Sequence, residues 1–312
     1  MKYFFCIISM FVMSYSLTAN TVYKYATIDE HRGCQQRLAV EGGDIAYIDV
    51  GEGEPILLIH GLPTSSWLYR HMIADLAERG YRVIAPDLLG YGASDKPQKY
   101  KQYKPEKQAD RILALMDYLG IPAWTHVMHD AGGLWSWEMM MKAPERVSRL
   151  VVLNTIAYEE GFKPPVRFKR KGWFGKFIVG MYDKKWIGKI VINNTLRSGT
   201  NKHKFSKEDK RGYWLPMQEG CNKAIYQFFT SFADTEERMP DYHKMFETLY
   251  VPTQIIWGAK DKFLLADVQV PMLQKALKVK DEDVHILEDA KHFIQEEKPK
   301  EIVEIICSGS SW

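Results

Sequence analysis

Several features that would assign a function directly are missing from this sequence. Only four of the 312 residues are cysteines, at positions 6, 34, 221 and 307, and they form no C-x-x-C motif. This spacing excludes a zinc scaffold and a small disulfide framework. The 42 lysines and arginines nearly balance the 39 aspartates and glutamates, which leaves a net charge of +3. We therefore expect no nucleic acid among the partners.

Motifs for common cofactors and nucleophiles are also absent. The sequence has no Gly-x-Ser-x-Gly motif, no His-Glu-x-x-His motif and no Gly-Lys-Ser/Thr loop, and Gly90-Tyr91-Gly92 lacks the third glycine of a dinucleotide fingerprint. These absences disfavour a serine esterase, a zinc peptidase and a nucleotide-binding protein. We expect no cofactor and no bound metal.

Apolar runs long enough to span a bilayer are missing as well. The first residues come closest, with Lys2, an apolar run over 3–13 and small or polar residues over 14–20. A spanning helix needs about 20 apolar residues, whereas a short charged start, an apolar stretch and small residues are typical of a signal peptide. We predict a signal peptide over 1–20, a secreted or periplasmic protein and no membrane span after its removal. An uncleaved anchor and a buried N-terminal segment are the less favoured alternatives.

Apolar residues are plentiful in the rest of the chain, at 46% overall with 13% aromatics, which is enough for a folded core. Short apolar runs predict strands, and amphipathic segments between them predict helices. This alternation predicts an α/β fold with a mostly parallel sheet that binds ligands at the carboxyl ends of its strands. The predicted strands are 45–50, 55–60, 82–86, 125–129, 150–154, 253–257 and 284–287, and the predicted helices are 66–79, 104–119, 132–143, 266–279 and 298–307.

The alternation stops between residues 158 and 247, where no clear strand occurs. We predict that 158–247 forms a helical cap inserted into a core domain of residues 21–157 and 248–312. Residues 160–212 contain 15 lysines and arginines against 4 aspartates and glutamates. A solvated lysine-rich face explains this excess better than a site for anionic substrates.

Three side chains with catalytic chemistry each follow a predicted strand. Asp130 lies in Met128-His129-Asp130-Ala131-Gly132-Gly133, where a strand turns sharply into a helix. Such a turn is typical of a nucleophile elbow, which lifts its central side chain above a helix N-terminus. Asp261 follows strand 253–257, and His292 follows strand 284–287. The order nucleophile, acid, histidine is the one expected for an α/β-hydrolase fold.

A loop with backbone donors follows strand 55–60. In His60-Gly61-Leu62-Pro63, the N–H of Leu62 is placed to act with the N–H of Ala131 as an oxyanion hole. A lone aspartate or histidine on a loop is usually structural, but all four elements in this order predict a working catalytic set.

With these residues the sequence resembles the haloalkane dehalogenase and epoxide hydrolase group of α/β-hydrolase-fold enzymes. The resemblance rests on the elbow at Asp130 and covers residues 36–308, with the cap matched only in position and character. It implies an eight-stranded, mostly parallel sheet flanked by helices, with an inserted helical cap. The matching segments are His60 to Arg70, Pro86 to Pro97 and His292 to Glu297.

An aspartate nucleophile suits displacement at a saturated carbon. Its unperturbed pKa of about 3.9 leaves it ionised near neutral pH, so it attacks directly and forms an alkyl ester. His292, oriented by Asp261, then deprotonates a water that hydrolyses the ester. We therefore predict a hydrolase that uses water to open an epoxide or a carbon–halogen bond of a small apolar organic substrate. The alternative is a non-catalytic ligand-binding protein on the same fold.

Three departures from the group bear on this prediction. Met128 stands where the elbow needs a small residue, and we expect it to crowd the turn. Ala131 and Leu62 replace the tryptophan and asparagine that bind halide in dehalogenases, so the prediction favours epoxides. The resemblance implies a cap tyrosine as proton donor, and Tyr213 is preferred. The other residues considered for the substrate or leaving group are Trp214, His60 and Trp67, then Tyr182, Tyr226, Tyr158, Trp173 and Trp186.

Overall fold

Eight strands form one sheet in the order β1-β2-β4-β3-β5-β6-β7-β8. The computed structural model describes residues 23–163, 185–230 and 237–309. β1 pairs antiparallel with β2 and β2 with β4, and the remaining pairs are parallel. The predicted α/β-hydrolase fold is thereby confirmed. The strands are β1 Gln36–Val40, β2 Gly43–Val50, β3 Glu54–Ile59, β4 Tyr81–Asp87, β5 Trp124–Asp130, β6 Val147–Thr155, β7 Thr253–Gly258 and β8 Val284–Leu287.

The central strands form because their sequences are apolar on both faces. All seven residues of β5 are buried, as are all six of β7, since helices cover both faces of a parallel sheet. β1 escaped prediction because it is a short edge strand with no buried residue. It is held as a hairpin by Gly42 and Gly43, whose φ angles of 100° and 148° are unfavourable for other residues.

Helices follow most strands, and the five helices predicted from amphipathic patterns are all present. The helices are α1 Ile28–Gly33, α2 Arg70–Glu78, α3 Pro105–Tyr118, α4 Gly132–Lys142, α5 Lys185–Gly199, α6 Lys207–Gln218, α7 Asn222–Thr230, α8 Met239–Thr248, α9 Ala266–Leu277, α10 Ile294–Glu297 and α11 Pro299–Ser308. The segment predicted as 66–79 is a short 3-10 helix, Ser66–Tyr69, that continues into α2.

Helices α5 to α8 lie between β6 and β7, in the region predicted to form the cap. The division into domains at 158 and 247 stays a prediction. Residues 1–20, predicted to be a signal peptide, lie outside the described residues. Within the described ranges, no helix combines the length and the apolar character that crossing a bilayer requires.

The sheet order explains why distant segments meet. β3, β5, β6, β7 and β8 are parallel neighbours, so the loops that leave their carboxyl ends lie along one edge of the sheet. Those loops begin at positions 60, 131, 156, 259 and 288. The residues with catalytic chemistry therefore converge without needing to be close in sequence.

Candidate active site

The turn after β5 holds Asp130 in a strained conformation. Its φ of 54° lies in the left-handed region, which residues other than glycine seldom adopt. Met128 is buried within β5, where it pairs with neighbours in β3 and β6, and the turn forms above it. The expectation that Met128 crowds the turn is therefore wrong, because its side chain belongs to the packed strand and not to the bend.

Two glycines make the tight turn possible. A Cβ on Gly132 would lie 2.6 Å from the carbonyl oxygen of His60, and a Cβ on Gly133 would lie 2.1 Å from Oγ1 of Thr155. Both distances are far below van der Waals contact. The start of α4 is thus pressed against the neighbouring strands, which brings its N-terminal backbone close to Asp130.

Asp130, His292 and Asp261 form a continuous line of charged groups. Nδ1 of His292 lies 2.8 Å from Oδ2 of Asp261, and Nε2 of the same ring lies 3.4 Å from Oδ2 of Asp130. The other oxygen of Asp261 accepts hydrogen bonds from the backbone N–H groups of Phe263 and Leu264, at 2.8 and 3.1 Å. The structure therefore brings together the three residues predicted from the order of motifs.

The ionisation of His292 and of Asp130 is shifted by the groups around them. Burial alone would lower the pKa of His292, but the two flanking carboxylates outweigh it and raise that pKa to about 10. Burial alone would raise the pKa of Asp130, yet its hydrogen bond to His292, the charge of that ring and the N–H of Ala131 lower it below the usual value. At neutral pH the resting site accordingly holds an ionised Asp130 beside a protonated His292.

Backbone donors hold the other oxygen of Asp130. The N–H of Leu62 donates to Oδ1 of Asp130 at 2.6 Å, and the N–H of Ala131 also bonds this carboxylate. A Cβ on Gly61 would lie 2.4 Å from Cβ of Asp130, so only glycine permits this approach of the loop. The carboxylate thus has one oxygen in a backbone cradle and the other beside His292.

A cavity of about 150 Å³ lies in contact with Asp130 and His292. Its described lining is mostly aliphatic and aromatic, which suits an uncharged organic ligand. The polar exceptions away from the catalytic line are Thr195, Asn222 and Tyr226. The apolar lining residues are Leu62, Pro63, Ile156, Phe162, Val191, Ile192, Met217, Ile225, Phe228, Phe229, Phe263 and Phe293.

The preferred proton donor, Tyr213, lies outside this cavity. Its buried hydroxyl donates to Glu296, which also forms a buried ion pair with Arg70. Asp209 accepts a further hydrogen bond from Arg70 at 2.8 Å. Tyr213 therefore contributes to a charged cluster that joins α6 to α2 and α10. The expectation that it faces Asp130 is wrong, because a hydroxyl beside a buried carboxylate satisfies that charge instead.

Three more predicted ligands also have structural partners and are absent from the described cavity lining. Nε2 of His60 accepts the N–H of Leu88 at 3.1 Å, so Nδ1 carries the hydrogen that it donates to the Gly61 carbonyl. Nε1 of Trp67 donates to the carbonyl of residue 209 at 3.2 Å. The ring of Trp214 packs under Nζ of Lys189. These side chains anchor loops and helices around the cavity.

Of the remaining aromatic residues considered for the leaving group, Tyr226 lies at the cavity. Its hydroxyl is buried and has no hydrogen-bond partner among the described residues, an arrangement that is costly unless a ligand completes it. Tyr158 stacks on His243 away from the cavity, and Trp186 is 63% exposed. Trp173 and Tyr182 lie outside the described residues.

Sequence reasoning missed the role of Asn154 beside Asp261. Nδ2 of Asn154 donates to Oδ2 of Asp261 at 2.7 Å, while its Oδ1 accepts the N–H of Gly258 at 3.1 Å. In the sequence Asn154 appears only as the last residue of the predicted strand 150–154. Its φ of 33° at the carboxyl end of β6 marks it as a strained residue with a local task.

His129 is a second neighbour of the catalytic line that was missed. Its Nε2–H donates to the carbonyl oxygen of His292 at 2.9 Å, and the two rings lie 4.7 Å apart. Burial lowers the pKa of His129 to about 3, so the ring is neutral. Its place directly before Asp130 was the available signal. A neutral donor here holds the loop of His292 without adding charge to the site.

Comparisons with known proteins agree with this geometry. The family model described as the α/β-hydrolase fold matches residues 54–299. A haloalkane dehalogenase of Mycolicibacterium paratuberculosis is 31% identical over 270 residues, which cover 84% of this chain and 86% of the relative. Epoxide hydrolase 4 of Mus musculus is 26% identical over 294 residues, covering 89% of this chain and 78% of the relative.

Solved structures show the same architecture. An epoxide hydrolase from Vigna radiata superposes with a TM-score of 0.72 at 21% identity, covering 88% of this chain and 96% of the other. A haloalkane dehalogenase from Bradyrhizobium elkani gives a TM-score of 0.68 at 24% identity, with the same two coverages of 88% and 96%. At this level of identity the superpositions establish the fold.

Proposed function

The chain belongs to the α/β-hydrolase fold family, in the group of haloalkane dehalogenases and epoxide hydrolases, and is a hydrolase. On this basis we propose that it hydrolyses small apolar epoxides through an ester on Asp130. The observation that carries this proposal is the state of the Asp130 carboxylate. It is ionised, buried at an apolar cavity, cradled through Oδ1 and left with Oδ2 beside His292.

The first step forms the ester. Oδ2 of Asp130 attacks a ring carbon of the epoxide, the carbon–oxygen bond of the ring breaks, and the ring oxygen leaves as an alkoxide that takes a proton. Tyr226 is the donor that we assign, since it lines the cavity with a buried, unpartnered hydroxyl. An acid in this place contributes roughly 10²- to 10⁴-fold to the rate.

The second step hydrolyses the ester. Esterification removes the negative charge of Asp130, one of the groups that raise the pKa of His292. His292 then gives its proton more readily, through solvent, to the Tyr226 phenolate left by the first step, and the neutral ring takes a proton from a water. The resulting hydroxide attacks Cγ of Asp130, and the charge that develops on Oδ1 is held by the N–H groups of Leu62 and Ala131. The bond between Cγ and Oδ2 breaks, Oδ2 takes the proton that His292 gained from the water, and the diol leaves with Oδ2. The new carboxylic acid of Asp130 then loses its proton to His292, which restores the resting pair.

The choice of epoxides over haloalkanes rests on the leaving-group side of the cavity. Ala131 and Leu62 offer no side-chain donor to a halide, and no tryptophan is among the described residues that line the cavity. A tyrosine hydroxyl suits a leaving oxygen, which needs a proton. Dehalogenation is the second candidate function, favoured by the 31% identity to a haloalkane dehalogenase.

A direct assay separates these functions. Matched terminal epoxides and haloalkanes, of equal carbon skeleton, would be followed by diol formation and by halide release. We expect diol from the epoxides and a much lower turnover of the halides. Halide release without diol would favour the second candidate. Hydrolysis of carboxylic esters alone, or tight ligand binding without any product, would overturn the proposal.

The covalent order of steps has its own test. A single turnover in water enriched in heavy oxygen should place the label in Asp130, because the product diol carries away the original Oδ2. The variant His292→Gln should accumulate an alkyl ester on Asp130, detectable in a mass spectrum of the intact protein, while His285→Gln, in β8 and outside the described cavity lining, should not. Label found in the diol after one turnover would exclude the ester.

A further inference from the structure

Helix α5 separates the cavity from solvent. On one side Val191, Ile192 and Thr195 line the cavity. On the other side Trp186 and Ile190 lie one turn apart and are 63% and 50% exposed. A contiguous exposed apolar patch is a common mark of a protein or membrane interaction site. We call Trp186, Lys189, Ile190 and Arg197 the outer face of α5.

The outer face is positively charged as well as apolar. The α5 sequence contains Lys185, Lys189 and Arg197 and no aspartate or glutamate. Lys189 and Arg197 are exposed, and Nζ of Lys189 lies 4.3 Å from the centre of the Trp214 ring, close to the helix surface. The combination of exposed tryptophan, an aliphatic neighbour and cations is the pattern of a helix that binds in the plane of a membrane interface.

We propose that the outer face of α5 docks on the surface of an anionic lipid bilayer. Trp186 would enter the headgroup region, for which indole rings have a particular preference, with Ile190 beside it. Lys189 and Arg197 would lie against the anionic headgroups. A second copy of this chain is a poorer occupant, because two identical faces would bring like charges together without an acidic residue of α5 to pair with them.

This docking has a consequence for access to the cavity. Because the inner side of the same helix lines the cavity, a docked molecule would hold one cavity wall against the bilayer, where apolar organic compounds accumulate. That consequence rests on the proposed function. The docking itself does not, and it is measured without any turnover, so the two proposals fail separately.

A local measurement tests the docking on the full chain. Vesicles of phosphatidylcholine alone and vesicles with added phosphatidylglycerol would carry doxyl-labelled lipid, which quenches indole fluorescence at contact. We expect quenching with the anionic vesicles only, and its loss in Trp186→Phe, which removes the fluorophore but keeps an apolar ring. If the protein sediments with anionic vesicles while Trp186 stays unquenched, another segment binds and the proposal is overturned.

Affinity variants provide the second arm. Trp186→Ser combined with Ile190→Ser should weaken binding to the anionic vesicles by at least about tenfold, since it deletes most of the exposed apolar surface. The matched control is Tyr118→Ser at the end of α3, which removes an aromatic side chain of similar exposure, 62%, and should leave binding unchanged. Equal loss in the control, no loss in the double variant, or a dimer of the free protein that the double variant dissociates would each overturn the proposal.

Discussion

The two sides of the cavity are built on opposite physical principles. On the sheet side, Asp130, His292 and Asp261 are ionised or proton-sharing groups whose oxygens and nitrogens have partners at 2.6–3.4 Å. On the side of helices α5 to α7, the described lining is apolar apart from Thr195, Asn222 and Tyr226. The charged, hydrogen-bonded groups are therefore concentrated where bonds would be made, and the opposite wall contributes mainly the shape of the cavity.

This contrast assigns different tasks to the two sides. Burying an ionised carboxylate costs free energy unless hydrogen-bond donors surround it. The carboxylates on the sheet side can therefore stay buried and ionised only because the neighbouring groups donate hydrogen bonds to them. The helical side contributes volume and one isolated hydroxyl, features that change readily without disturbing the fold. We infer that the sheet side determines the type of reaction and the helical side determines which molecule undergoes it.

The largest expected effect comes from the sheet side. Asp130→Ala deletes the proposed nucleophile, and we expect the turnover of epoxides to fall by more than about 10⁴-fold. Binding of a substrate analogue should change far less, because most of the cavity wall is apolar and unaltered. The measurement is kcat together with the Kd of a non-reactive analogue. Retained turnover in this variant would show that the sheet side does not supply the nucleophile.

A pair of tyrosines on the helical side gives the next effect. Tyr226→Phe should lower kcat for epoxides by about 10²-fold and leave the thermal midpoint nearly unchanged, because its hydroxyl has no partner among the described residues. Tyr213→Phe should instead lower the stability and leave kcat nearly unchanged. It removes a hydrogen bond to the buried Glu296 and should cost roughly 1–3 kcal/mol of unfolding free energy with little change in kcat.

The matched pair is informative because both variants delete one buried hydroxyl. Kinetics with an epoxide and calorimetric unfolding would be measured on each protein. If Tyr213→Phe is the variant that loses kcat, the assignment of the proton donor is wrong. If neither variant loses it, a group outside the described lining, or water, protonates the leaving oxygen.

The same contrast explains what the sequence could predict. Asp130, Asp261 and His292 each follow an apolar run, and the edge of a parallel sheet must bring such residues together, so their meeting was predictable. The donor was not, because which tyrosine lines the cavity depends on how α6 and α7 pack. The Tyr213 hydroxyl instead donates a hydrogen bond to Glu296, which lies 83 positions away in sequence and comes close only in the folded chain. β1 was missed because an exposed edge strand has no buried apolar run.

A smaller effect is expected at Asn154. Asn154→Ala removes the amide that donates to Oδ2 of Asp261 and accepts from the N–H of Gly258. Asp261 keeps its two backbone donors, so the acid remains in place but is less firmly oriented towards His292. We expect kcat to fall roughly tenfold, in line with loss of one hydrogen bond to a charged group. The matched control is Asn201→Ala, whose amide binds the carbonyl of residue 289. An equal fall in both variants would remove the special role of Asn154.

The subtlest effect lies in the ionisation of His292. In the wild-type protein burial lowers the pKa of His292, but the two carboxylates raise it to about 10, with the charge of Asp261 the largest of the raising effects and Asp130 adding a hydrogen bond and charge. Asp130→Asn imitates the neutral ester, so the pKa of His292 should fall in this variant. In the separate variant Asp261→Asn it should fall by more, because the charge of Asp261 is the largest of the raising effects. Ring resonances followed by NMR during a pH titration would measure both shifts.

The sign of the linked stability follows from these shifts. A raised pKa in the folded state stabilises the protein below the ordinary histidine pKa, near 6.5, and this contribution disappears as the pH rises towards about 10. In Asp130→Asn the loss should begin near the same pH, but it should be smaller and be complete at a lower pH than in the wild type. The proposed second step depends on the fall in the pKa of His292, because only a deprotonated His292 can accept the proton of water. An unchanged pKa in Asp130→Asn would mean that ester formation does not prepare the base, and the two carboxylates would then have no shared task in the reaction.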